Sequence, residues 1–216
     1  MSLVDARLYL VAPAHIAAGD VAKLLPDLAA AGVDVFQLRE AKDREAGDVI
    51  ADGARIMEAC RSAGLPFIVN DRPDIAVALG ADGVHVGQND VPPQVARRLV
   101  GSSIVGLSTH STREVDEAVA LGDVLDYIAV GPVNPTPTKP GRPGTGFELV
   151  SYAARQIPED KPWFVTGGMS AETIPALLAA GGTRAVVVRA IAEAPDPVAA
   201  TREIAAALNR NLHAHP

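Results

Sequence analysis

The feature that most constrains this chain is an eightfold alternation. Short runs rich in β-branched and aromatic residues recur: RLYLVA (7–12), VDVFQLR (33–39), PFIVND (66–71), DGVHVG (82–87), SIVGLS (103–108), DYIAVG (126–131), PWFVTG (162–167) and RAVVVR (184–189). Each is followed by an Ala/Leu-rich segment with helical spacing, near 20–31, 45–63, 73–79, 92–100, 111–121, 146–156, 170–180 and 195–209. Glycines such as Gly32, Gly64 and Gly80 fall where those helices should end, as C-cap glycines do. Strands that alternate with helices pair in parallel. Eight such units in 216 residues predict an α/β protein, a closed (β/α)8 TIM barrel, with an open doubly wound sheet as the alternative. No linker or composition break divides the chain. Residues 1–216 are therefore expected to form one domain, with 211–216 as a frayed tail.

Composition excludes several classes of function. A formal charge of −7 argues against nucleic-acid or anionic-membrane partners, which call for a basic surface. One cysteine, Cys60, permits no internal disulfide and fits a reducing cytoplasm. The opening MSLVDARLYLVAP has no basic stretch leading into a long apolar one, so no signal peptide is expected. No apolar window is long enough for a membrane span.

In a barrel of this kind the chemistry gathers at the carboxyl ends of the strands. Applied run by run, that rule collects Gln37, Arg39 and Glu40; Asn70 and Asp71; Gln88, Asn89 and Asp90; Ser108, Thr109 and His110; then Gly167-Gly168 and Val188-Arg189. The sixth run enters GPVNPTPTKPGRPGTG (131–146), a stiff cationic loop carrying Thr136, Thr138 and Lys139.

Asp71 and Asp90 follow neighbouring strands and should approach one another. Two carboxylates in a cleft share a proton or hold a cation, and oxygen ligands of this type suit Mg²⁺ completed by substrate phosphates. Each also stands where a helix N-cap would, before Pro73 and before Pro92-Pro93. Cationic groups nearby favour the metal reading. Arg39 is costly to bury without an anion. Gly167-Gly168, read as lying just before a helix, and Arg189 after the last strand suit a phosphate site. The mouth thus holds two expected anion sites: a metal-assisted one near strands 2 to 4 and a metal-free one near strands 7 and 8. His85 and His110 read as strand packing or loop hydrogen bonding rather than as metal ligands. No H-E-x-x-H, Ser-His-Asp order, P-loop or G-x-G-x-x-G is present.

The segments QLRE (37–40), VNDRPDIAVALGADGVHVGQND (69–90), GLSTH (106–110), GPVNPTPTKPG (131–141), GG (167–168) and VVVRAI (186–191) resemble thiamine-phosphate synthase, in order, from residue 7 to about 210. The ND…GADGVHxGQxD and PTxTK patterns are the specific ones. The resemblance implies a transferase that joins 4-amino-5-hydroxymethyl-2-methylpyrimidine diphosphate to 4-methyl-5-(2-phosphooxyethyl)thiazole, releasing diphosphate with Mg²⁺ as cofactor. By matched position it implies that Gln37, Arg39, Asn70, Ser108 and Lys139 bind the pyrimidine diphosphate. Asp71 and Asp90 would hold the metal, while Thr136, Thr138, Gly168, Val188 and Arg189 would bind the thiazole phosphate. Arg39, Lys139 and Ser108 would carry the catalysis.

Two positions depart from that pattern. The family places a lysine next to the acid, where this chain has Ala41 and then Lys42. Lys42 reaches the diphosphate only if the strand has ended by Glu40, because a one-residue slip along a strand reverses the face. Many members carry serine where this chain has Arg189, which adds a cation. The chemistry expected is a Mg-assisted dissociative substitution that needs positioning and charge neutralisation, not a general base. The alternatives are a thiazole tautomerase-like isomerase and a non-catalytic phosphometabolite-binding protein. The partners expected are small-molecule substrates, with homo-oligomerisation left open.

Overall fold

The structure is a computed structural model that describes residues 3–135 and 144–209. Thr136, Thr138, Lys139 and the tail 211–216 lie outside the described residues. Eight parallel strands close into a barrel: β1 (Leu8–Ala12), β2 (Val35–Leu38), β3 (Phe67–Asn70), β4 (Gly83–Val86), β5 (Ile104–Thr109), β6 (Tyr127–Val130), β7 (Trp163–Val165) and β8 (Ala185–Val187). Every neighbouring pair is consecutive in sequence, and β8 closes on β1 through Tyr9 opposite Val186. The open doubly wound alternative is thereby excluded.

Helices surround the strands: α1 (Val21–Ala31), α2 (Ala46–Ala63), α3 (Pro73–Leu79), α4 (Pro93–Val100), α5 (Thr112–Ala120), α6 (Glu148–Gln156), α7 (Ile174–Ala179), α8 (Arg189–Ala192) and α9 (Pro197–Asn209). A short antiparallel pair, His15–Ile16 with Gly19–Asp20, leads from β1 into α1. No helix among the described residues is long and apolar enough to cross a membrane.

The two-residue period of the strands sorts the core into two layers. Outward-facing Leu8, Leu10, Phe36, Leu38, Phe67 and Val84 pack against the helices. Inward-facing Tyr9, Val11, Val35, Ile68, Ile104, Tyr127, Phe164 and Val186 fill the barrel, with Leu3 and Ala6 joining them from below. Two interior positions are glycine because a neighbour already occupies their volume. A Cβ on Gly106 would sit 2.1 Å from Tyr127 Cζ, and one on Gly83 would sit 2.6 Å from Ile104 Cβ.

The amino ends of the strands repeat one device. Asp34, just before β2, accepts from the backbone N–H groups of Arg7 (2.7 Å) and Leu8 (2.9 Å) at the start of β1. Asp82, before β4, accepts from Phe67 N at 2.8 Å. Asp126, before β6, accepts from Val105 N at 2.7 Å and from the Arg97 guanidinium. In each case the acid of an even strand ties down the odd strand before it.

Candidate active site

The carboxyl ends of the strands open into a cavity of about 490 Å³, bordered by Gln37, Arg39 and Asn70 on one side and by Gly168, Val188 and Arg189 on the other. Ser108 and His85 line its depth.

The first side is built where three strands stop. Strand β2 ends at Leu38, so the chain has left the sheet before Glu40. Glu40 turns back to accept from Ala14 N (2.7 Å) and pairs with Arg44 (3.2 Å). It therefore leaves Arg39 to other acids. Burial pulls the Arg39 guanidinium below its ordinary value, while the charges of Asp71 and Asp90 push it back up. Beyond β3, Asp71 N donates to His85 O at 2.7 Å, and the residue then takes φ +60°. That left-handed conformation costs a side-chain-bearing residue of order 1–3 kcal/mol, less for aspartate than for most.

The turn brings Asp71 to Asp90, which follows β4. Burial alone would raise the Asp90 pKa. The hydrogen bond with Asp71, the Gly87 N–H (3.0 Å) and Lys42 outweigh it, and the net direction is down. Neither acid caps a helix: the N-cap positions of α3 and α4 are Arg72 and Pro92, with no side-chain cap on either. Lys42 Nζ lies 3.3 Å from Asp90 Oδ1 and 3.7 Å from Asp71 Oδ2, although its side chain is 81% exposed. An ammonium thus lies within ion-pair distance of both carboxylates.

Behind this corner a chain of buried hydrogen bonds crosses the barrel. Gln37 Nε2 donates to Tyr9 Oη (2.7 Å), Tyr9 Oη meets Tyr127 Oη (2.8 Å), Tyr127 Oη meets His85 Nδ1 (2.8 Å), and His85 Nε2 meets Ser108 Oγ (2.8 Å). Burial pushes both phenols up, so each keeps its proton. Tyr9 and Tyr127 were not among the residues the sequence singled out. They read as interior aromatics of RLYLVA and DYIAVG, and nothing in that pattern separates a phenol with partners from a ring that only packs.

The opposite side differs from expectation in its helices. After β7 no helix follows Gly167-Gly168 directly. Thr173 Oγ1 accepts from Ser170 N (2.8 Å), holding a turn, and α7 starts only at Ile174. The N–H groups at Gly167 and Gly168 belong to a left-handed bend with φ +108° and +74°. Glycine is required at 167, where a Cβ would stand 2.3 Å from Val133 N. Strand β8 stops at Val187 rather than at Arg189, and Arg189 opens the four-residue helix α8.

Between the two sides, the base of the proline-rich loop is tied to the rim. Val133 N donates to Thr166 O (2.9 Å) and Asn134 N to Gly167 O (3.3 Å), while the returning leg donates from Thr145 N to Pro132 O (2.8 Å) and from Gly146 N to Val133 O (3.1 Å). His110 Nδ1 bonds to Gly131 O on the same base. Thr136, Thr138 and Lys139, between these legs, are outside the described residues.

A family model described as thiamine monophosphate synthase matches residues 8–191. The chain belongs to the thiamine monophosphate synthase family. It is 49% identical over 208 residues to a thiamine-phosphate synthase of Acidothermus cellulolyticus, covering 96% of this chain and 97% of that one. It is 46% identical to one of Mycolicibacterium vanbaalenii, covering 96% of each. A solved thiamine phosphate pyrophosphorylase from Pyrococcus furiosus superposes with a TM-score of 0.84 at 26% identity, over 95% of this chain and 96% of that one. Membership in the thiamine monophosphate synthase family makes this chain an enzyme, a transferase in thiamine biosynthesis.

Proposed function

We propose that the cavity condenses 4-amino-5-hydroxymethyl-2-methylpyrimidine diphosphate with 4-methyl-5-(2-phosphooxyethyl)thiazole. What supports this reading is that Arg39, which feels the Asp71–Asp90 pair, and the Gly167–Gly168 bend with Arg189 border the same cavity, so that two anion sites of different make can serve it. One combines Arg39 and Lys42 with the Asp71–Asp90 pair; the other combines the Gly167–Gly168 bend with Val188 and Arg189.

The carboxylate pair fits Mg²⁺ by its chemistry. Its donors are hard oxygens, and among the described residues no third His, Cys, Asp or Glu joins them, so phosphate and water oxygens would complete the ion's ligand set. When bound, the metal supplies charge neutralisation of the departing diphosphate. Arg39 and Lys42 add to that from the protein side, and Lys139 would do so from the loop. Lys42 is then displaced from the carboxylates toward the diphosphate, which its long exposed stem permits.

As the bond between the pyrimidine methylene and the diphosphate oxygen breaks, its electron pair leaves with the diphosphate. The amino group of the ring stabilises the resulting cation. Gln37, Asn70 and Ser108 orient the ring, and Gly168, Val188 and Arg189, with Thr136 and Thr138, hold the thiazole phosphate. The thiazole nitrogen attacks with its own lone pair, so no protein base is needed. The enzyme works in the cytoplasm as a single domain. Cys60, buried and with its thiol pushed up to about 12 by that burial, suits a reducing compartment and takes no part.

The test is diphosphate release measured with both substrates and Mg²⁺. Release that requires both, and stops on chelation, supports the reading. Isomerisation of the thiazole without a pyrimidine, or binding without turnover, overturns it.

A further inference from the structure

The Gln37–Tyr9–Tyr127–His85–Ser108 chain has four links and a countable set of protons. Gln37 donates on the first link. Each phenol holds one proton. If Tyr9 donates to Tyr127 and Tyr127 donates to His85 Nδ1, both phenol protons lie within the chain. The opposite sense, with His85 Nδ1–H donating to Tyr127 and Tyr127 to Tyr9, gives the Tyr9 proton no place in the chain, at a residue that is 1% exposed. A buried donor without an acceptor is strongly disfavoured. The first sense requires the neutral imidazole with its proton on Nε2, which then donates to Ser108 Oγ at 2.8 Å. The Ser108 hydroxyl, accepting from His85, has its own proton to direct into the cavity. Gln37, with an amide N–H committed to Tyr9, presents its carbonyl oxygen.

We propose that Tyr9, Tyr127 and His85 are positioning residues that set the hydrogen-bonding polarity of the cavity's depth, making Gln37 an acceptor and Ser108 a donor toward the ligand. That pair complements a ring edge carrying one donor and one acceptor, as an aminopyrimidine does with its exocyclic N–H and ring nitrogen. It opposes the reversed edge of a pyrimidinone. The assignment of the ligand rests on the transferase reading above; the polarity itself does not. The two interior glycines belong to the same arrangement, because the Gly106 site is where the Tyr127 ring lies and Gly83 makes room for Ile104 two residues before His85.

The deciding measurement uses the ligand-free full-length protein. Side-chain ¹⁵N spectra of ¹⁵N-histidine-labelled enzyme, with the His85 signals identified by their loss in His85→Asn, should show His85 as the neutral Nε2–H tautomer. A neutral Nδ1–H tautomer overturns the proposal whatever the enzyme catalyses. The second arm is Tyr127→Phe, which removes one hydroxyl from the middle of the chain. Its KM for the pyrimidine diphosphate should rise about tenfold, as loss of roughly one net hydrogen bond implies, with the KM for thiazole phosphate within about twofold. Discrimination against the oxo analogue of the pyrimidine should fall by a similar factor. Equal losses toward both substrates with discrimination intact would make the tyrosine merely structural and overturn the proposal. Absence of turnover in the wild type would instead defeat the transferase reading, and the tautomer would still decide the polarity.

Discussion

The two ends of this barrel use aspartate in opposite ways. At the floor, Asp34, Asp82 and Asp126 each accept from backbone N–H groups of the preceding strand. Their negative charge serves the ladder. At the mouth, Asp71 and Asp90 face Lys42 and the field of Arg39, and Asp71 is held in a left-handed conformation to do so. Their negative charge is turned toward cations, one of which, Arg39, borders the cavity. Strand β4 has one of each, Asp82 before it and Asp90 after it, yet one closes the fold and the other opens a site. Barrels divide labour in this way, with stability at the amino ends of the strands and chemistry at the carboxyl ends.

The sharpest way to break the comparison is to neutralise a mouth carboxylate. Asp90→Asn should lower kcat by about 10²–10³-fold, the usual cost of removing a group that organises charge stabilisation, while the thermal midpoint stays within a few degrees. Steady-state kinetics across a Mg²⁺ titration, run beside a thermal melt, check both. A melt that drops while kcat holds would place Asp90 with the floor acids. Next, Arg189→Ala should raise the KM for thiazole phosphate by about 10- to 150-fold, the equivalent of the 1.5–3 kcal/mol typical of a charge-assisted contact. The KM for pyrimidine diphosphate should hardly move; an unchanged thiazole KM would leave the second anion site to the Gly167–Gly168 bend alone.

Lys42→Ala should cost about tenfold in kcat/KM, at the low end of that range because the side chain is 81% exposed. A loss below about threefold would remove Lys42 from the diphosphate site. The smallest effect on activity belongs to the floor. Asp34→Ala strands two N–H groups and should lower stability by about 1–3 kcal/mol, or about 2–4 °C per kcal/mol at this chain length, with kcat within twofold. A kcat that fell with the melting temperature would show that floor and mouth are coupled.

The sequence made the frame legible because each strand is a dense β-branched run with glycine or a helical pattern on either side. The strand-end rule also collected residues that border the cavity, among them Gln37, Arg39, Asn70 and Ser108, together with others such as Glu40 and Thr109 that serve the fold instead. What escaped it follows physical lines. Helix α8 is one turn long, and VVVR reads as strand through Arg189, so the switch at Val187 left no periodic trace. The helix after β7 was read as starting at 170, but Ser170 and Thr173 spend their groups on a turn and delay it to Ile174. The sequence leaves the face of Lys42 open; β2 ends at Leu38, and Lys42 stands beside Asp90. His85 read as packing or hydrogen bonding; both ring nitrogens in fact join strands that are 42 and 23 residues away in sequence. Long-range pairing of that kind is invisible to local pattern.

Leu3 and Ala6, only 4% and 7% exposed, sit beneath the interior rings, and Arg184 fastens their segment by donating to Val4 O (2.7 Å) and Ala6 O (3.1 Å). Among the described residues, a chamber stoppered in this way is open at the carboxyl ends of its strands. Whatever lodges deepest, beside Gln37 and Ser108, must come in before anything that covers it from the rim, and it can go out only after the rim has cleared. Traffic through such a vessel is last in, first out, and the queue is imposed by Leu3, Ala6 and the arginine that fastens them, at the opposite end of the barrel from the chemistry.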